Sequence, residues 1–276
     1  MFCTNRASRI FHGLILVAVT AVPAAGWFFE EWSAGTTLAV YWFENVAACL
    51  FVAVRIAVHQ RLSPRHGHFR YQGADRRSSQ SSFIMGFLVT SLAFCAAHGV
   101  FLGFILFMLD RNGEHGLAAV DWRSVQTGCV IVFVFLVIDL AVDLVRVRSW
   151  SFLRIEQTAY RGLGRVVVVH LTLIFGLFGV AMTGVSSALF GVFVVLKTLY
   201  ALSLALPQWE PVAPPGWLSR VMNRLPNVHP GEKFEDHWAK DRVAEAKRRE
   251  RNEQPWAAAR TRNRKGGERF GRIVQR

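Results

Sequence analysis

Apolar residues in this chain come in six long runs rather than in a repeating stripe. The runs cover residues 10–28, 37–59, 82–109, 124–145, 165–183 and 187–206. Within each run the apolar positions fill the whole circumference of a helix, so a 3.6-residue period does not single out one face. Length identifies them instead. A helix rises about 1.5 Å per residue and a bilayer core is about 30 Å thick, so about 20 apolar residues cross it. The pattern predicts an all-α integral membrane protein: a six-transmembrane-helix bundle over residues 1–206, followed by a tail over 207–276.

The charges between the runs set the expected orientation. Arg6 and Arg9 precede the first run, and Glu30 and Glu31 follow it. The second loop carries Arg61, Arg65, Arg70, Arg76 and Arg77 against Asp75. The third carries Asp110, Glu114 and Asp121 against Arg111 and Arg123, and the fourth Arg146, Arg148, Arg154 and Arg161 against Glu156. The fifth is uncharged and the tail is basic. Alternation of this kind places both termini on the cytoplasmic side of the cell membrane under the positive-inside rule. Arg6, Arg9 and the small residues of AVPAAG also resemble a secretory signal with its cleavage site. The first run is long for a signal core, and Trp27, Phe28 and Phe29 suit an interfacial belt, so the span is expected to be retained.

Composition sharpens this picture. Of the 276 residues 52% are hydrophobic, and the net charge is +13. Half of the basic residues, 16 of 32, lie after residue 206, so the charge belongs to a basic tail and basic loops. Topology accounts for it before nucleic acid does, and nucleic acid is not expected as a partner. Cys3, Cys49, Cys95 and Cys129 are scattered singly, with no metal or disulfide spacing. The last three read as small core residues. No metal and no cofactor is expected.

Ionisable residues inside spans cost about 2.5–3.5 kcal/mol each at the bilayer centre, so they face protein or water and find partners. At about 1.5 Å per residue, Glu44, His98 and Lys197 fall about 9–15 Å below the outer boundary. They can share one level, with a Glu44–Lys197 pair and His98 nearby. Asp139 and His170 fall about 8–9 Å from the inner boundary. Asp143 shares a helix face with Asp139, and Arg55 can reach either acid or snorkel to headgroups. Two readings stay open. In one, these groups pair across helices and fix register. In the other, Glu44, Asn45, His98, Lys197, Asp139 and His170 line a ligand pocket or proton path. Tyr41, Trp42, Arg55 and Asp143 are structural or interface candidates. Asn45 suits an interhelical hydrogen bond, and Gly99 and Gly103 form a GxxxG that favours close packing within the chain over dimerisation, with a homo-oligomer left open.

Trp27, then Tyr41-Trp42-Phe43-Glu44-Asn45, resembles a family of bacterial and archaeal membrane proteins, the domain of unknown function family numbered 6498. The likeness continues through His98-Gly99-Val100-Phe101, Arg165, His170, Gly176 and Leu196-Lys197-Thr198, covering about residues 15–206. Where that family often has His-Tyr-Gly, this chain has Thr90-Ser91-Leu92, and Ala201 replaces an acid. The resemblance implies a multi-pass membrane protein and no particular activity.

The second loop holds His59, His66 and His68 without metal-ligand spacing or an acidic partner. Its arginines, like those of the tail, suit anionic lipid headgroups. Pro207, Pro211, Pro214 and Pro215 form a stiff linker. Trp217, Leu218, Val221, Met222 and Leu225 then suit a short amphipathic helix lying on the membrane. Residues 234–253 read as a charged helix with an Asp241, Glu245, Arg249 ladder and too few apolar residues for a core of its own. The end of the tail reads as disordered. There is no P-loop, GxSxG or HExxH, and no catalytic residue is assigned. Three functions are expected to compete: handling of a small solute or protons through buried polar residues, a non-catalytic scaffold using the basic tail, and an intramembrane enzyme.

Overall fold

The structure, a computed structural model, describes residues 14–15, 18–19, 21–71, 82–183, 211, 213–224, 231 and 233–256. Among them every extended element is helical, and the one isolated bridge joins Arg65 to Pro255. Residues 21–29 form α1. There follow α2 (Ala34–Leu62), α3 (His66–Phe69), α4 (Phe83–Arg111), α5 (His115–Ala118), α6 (Trp122–Arg146) with a closing 3-10 turn Val147–Ser149, α7 (Phe152–Thr183), α8 (Gly216–Met222) and α9 (Phe234–Glu253).

Three of these helices are long and apolar enough to cross a membrane: α2, α4, and α6 with its closing turn. They coincide with the second, third and fourth expected spans. The first is helical where described, and the sixth lies outside the described residues. The fifth begins well before its apolar run. Helix α7 starts at Phe152, because Phe152, Ile155, Glu156, Ala159 and Val166 recur at helical spacing and are all buried. Arg154 and Arg161, read from sequence as loop residues, therefore sit on helix. An apolar-length criterion passes over such an amphipathic start.

The chain divides into two compact units. The first holds α1, α2, most of α4, α5, α6 and α7 from Arg154 onward. Helix α2 is its centre: 56% of its apolar window is buried, against 22% in α4 and in α6. On one side Val40 and Ala47 pack with Ile15, Val19, Trp32, Val132 and Leu136. The Trp32 indole lies against Gly128, where a Cβ would come within 2.7 Å of it. On the other side Ala34 and Leu38 pack with Leu102 and Ile105, and Cys49 packs with Cys95 and Val166. The outer faces of α4 and α6 leave Val100, Phe104, Phe107, Val130, Phe133 and Val134 exposed, a surface that lipid tolerates and water does not. Asp121 caps α6, accepting from the Arg123 amide at 3.1 Å and from Ser124 Oγ at 2.6 Å. The Ser124 bond, ahead of the backbone one, holds the Asp121 carboxyl below its usual range.

The second unit gathers residues 63–83, 151–153 and the described tail. The charged helix α9 forms as expected, and the aromatic residues around it supply the core that its own sequence lacks. Phe69 stacks on Trp256 with centroids 4.6 Å apart, and Phe152 meets the edges of His68 and Phe83 at 5.0 and 5.3 Å. The backbone of His66 donates to Gln254 O at 2.8 Å, and that of Trp256 to Pro64 O at 3.2 Å. Glu253 accepts from the Phe152 amide at 2.7 Å and pairs with Arg65 at 3.6 Å. Of the expected ladder, Glu245 pairs with Arg249 at 2.6 Å and also with Arg248 at 2.7 Å, while Asp241 pairs with His237. In α8, Trp217 and Val221 are exposed.

Candidate functional site

Two polar levels lie on α2 inside the first unit, and they differ in how their polar atoms are served. The lower one is an ionic bridge to α6. Arg55 Nη2 donates to Asp139 Oδ2 at 2.6 Å, and Arg55 Nε to Asp143 Oδ2 at 2.7 Å. The acids are one helical turn apart, so one planar guanidinium reaches both. Arg55 and Asp143 are buried and Asp139 is partly exposed. One turn on, the buried His59 donates through Nε2 to Trp150 O at 3.0 Å. His170 lies on α7 by its backbone, and its side chain is outside the described residues.

The other level lies between α2 and α4. Leu38 packs with Leu102 and Ile105, Cys49 with Cys95, and Val52 and Phe87 both meet Gly162. Rising numbers on α2 match falling numbers on α4, so the two helices run antiparallel. Glu44 and Asn45 fall between the first two contacts, and so does His98. They share a level, and all three are buried, at 1%, 3% and 2% exposure. The buried face of α4 explains the selection: Phe87, Ser91, Cys95, His98, Leu102 and Ile105 recur at spacings of three and four, polar in the middle and apolar at both ends. From the sequence His98 stood out, Cys95 read as a small core residue, and Ser91 was notable only as part of a departure from the family pattern. Plotting the run as a helical stripe would have grouped them.

Trp42 fixes the approach of the two helices. Its Nε1 donates to Cys95 O at 2.9 Å, and its ring lies over Gly99, where a Cβ would come within 3.0 Å of Nε1. Gly103 has nothing within 4 Å of such a Cβ, so among the described residues Gly99 takes part in internal packing and Gly103 does not. Tyr41 is buried, whereas Trp42 is partly exposed. Lys197 lies outside the described residues, and with it the expected Glu44–Lys197 pair.

Asn45 stands out in this level. Both its Oδ1 and its Nδ2 are buried, and neither has a hydrogen-bond partner among the described residues. Leaving such groups unmet costs about 1–3 kcal/mol each, and native proteins do so rarely without a missing ion, water or ligand. Among the described residues no cluster of three or more His, Cys, Asp or Glu side chains is arranged to hold a metal ion.

A helical chain with three helices fit to cross a membrane, and a polar layer enclosed between two of them, is the class that fold and site define. The chain belongs to the Family of unknown function (DUF6498), whose model matches residues 3–245. No curated protein and no solved structure matches it.

Proposed function

We propose that this chain is a six-span protein of the cell membrane, both termini cytoplasmic, which handles a small solute or protons through the polar layer of Glu44, Asn45 and His98. The observation that carries the reading is the Asn45 amide, buried with neither its donor nor its acceptor met among the described residues. An acid and an imidazole on the same level supply groups that change charge, and their enclosure keeps water from short-circuiting a transfer. Arg55, Asp139 and Asp143 serve the fold rather than the ligand, since the guanidinium already bridges both acids.

The test uses the purified full-length chain in proteoliposomes. Proton flux is read with a trapped pH dye, and solute binding by thermal shift across a panel of small polar compounds. Glu44→Gln and Lys197→Met are expected to abolish flux, with Glu44→Gln also removing any ligand-dependent shift, while the protein melts within a few degrees of the wild type. Wild-type vesicles that pass neither protons nor any panel solute, together with no shift, would overturn the reading.

One observation favours a second reading, a scaffold that works through its tail. Helix α9 is held at its C-terminal end by Glu253, Gln254 and Trp256, so its charged face is presented in a fixed orientation within the second unit. Deleting residues after 230 would then remove the cellular phenotype, which the solute reading expects to be spared.

A further inference from the structure

Cys49 and Cys95 come from different helices, yet they meet. They belong to one buried cluster with Val166, flanked by Val46. Both side chains are buried and both thiols are free. Trp42 anchors the same place, because the carbonyl that accepts its indole N–H belongs to Cys95. Cys129, by contrast, is a single thiol on α6 packed beside Trp32, Val40, Val132 and their neighbours. A small side chain that merely fills space needs no second thiol opposite it; alanine would serve as well.

We propose that Cys49 and Cys95 are a redox-active dithiol, which hydrogen peroxide or a similar small peroxide converts to a disulfide joining α2 to α4. The chemistry balances in two steps. One sulfur attacks the peroxide, the O–O bond breaks, and that sulfur becomes a sulfenic acid as one water leaves. The second sulfur then attacks the sulfenic sulfur, the S–S bond forms, and a second water leaves with the remaining thiol proton. Each sulfur gives up one electron to the peroxide over the two steps. Buried thiols are commonly slow to react, and a resolving thiol in the same cluster traps the sulfenic acid before further oxidation. The apolar walls formed by Val46 and Val166 favour the disulfide over a metal dithiolate, since the disulfide carries no charge into the interior. The oxidised state would tie the two helices beside the level of Glu44 and His98. The proposal rests on the packing of the pair and does not depend on the solute reading.

The test uses the full-length chain with Cys3→Ser and Cys129→Ser, purified reduced in detergent and treated with hydrogen peroxide. Thiols are then counted by mass-tagged maleimide after denaturation. The count is expected to fall from two to none and to return to two with dithiothreitol. In parallel, peptide mapping of the oxidised wild-type chain, which needs no substitution, is expected to give a linked peptide containing Cys49 and Cys95, lighter by two hydrogens than the separate peptides. Two thiols still free after peroxide, a disulfide between copies of the chain, or a sulfinic acid on one cysteine with the other untouched would each overturn the proposal.

Discussion

Asn45 and Arg55 lie about three turns apart on one helix, and both are buried. Arg55 has an acid for each of two nitrogens, at 2.6 and 2.7 Å. Among the described residues nothing bonds either amide atom of Asn45. The first arrangement spends its polar groups on joining α2 to α6. The second leaves donor and acceptor aimed into an enclosed layer, which harms stability unless something binds there. Burial alone therefore does not tell a structural polar residue from a functional one; the state of its hydrogen bonds does.

Mutations can break this contrast. The largest effect is expected for Arg55→Met, which strands two carboxylates. Breaking a buried ion pair from one side costs about 3–5 kcal/mol, so the melting temperature in detergent should fall steeply or the protein should fail to accumulate. Asn45→Leu is expected to act with the opposite sign. Replacing an unmet amide with a side chain of similar volume should leave stability unchanged or raise it by about 1–3 kcal/mol, while abolishing flux. If Asn45→Leu destabilises as much as Arg55→Met, the two levels are alike and both are structural.

Smaller effects sharpen the geometry. Gly99→Ala places a Cβ 3.0 Å from Trp42 Nε1 and should cost about 1–3 kcal/mol as the indole is pushed aside. Gly103→Ala meets open space and should be silent, which a pair of melting curves will show.

In the second unit Glu245 titrates at about 2, held down first by its bonds to Arg248 and then by Arg249. A carboxylate whose folded value lies below its unfolded one lends stability above about pH 4.5, lost as the pH falls toward 2. Burial, ahead of repulsion by Arg70 and Arg251, pushes His66 below its ordinary 6.5. Its neutral form is favoured in the fold, so the stability tied to it is likewise present at neutral pH and lost on acidification. Protection of the α9 amides, measured against the intrinsic exchange rate at each pH, is therefore expected to fall as the pH is lowered from neutrality, with Glu253→Gln lowering it at neutral pH.

How far the sequence discloses these features depends on how local they are. Helices α2, α4 and α6 were legible, because about 20 apolar residues in a row have few alternatives to a membrane helix. The early start of α7 was masked by Arg154 and Arg161, which look like loop charges until Ile155, Glu156 and Ala159 are placed on one face. Asp139 and Asp143 were legible as neighbours through their spacing, and Arg55 as a group in reach of them. That Arg55 would bridge both, rather than snorkel, depends on how closely α2 packs on α6. The thiol pair was hidden because its residues lie on separate helices and share no local motif. The second unit was hidden for the same reason: the Arg65 guanidinium finds the Glu253 carbonyl across 188 residues of sequence. Nothing local in either segment announces the other.

The most direct measurement is an experimental density map of the full-length chain in lipid nanodiscs, detailed enough to show ordered molecules beside Asn45. The account predicts non-protein density within hydrogen-bond distance of both Oδ1 and Nδ2, enclosed on the same level as Glu44 and His98. An Asn45 amide fully bonded to protein groups, with no such density, would contradict it.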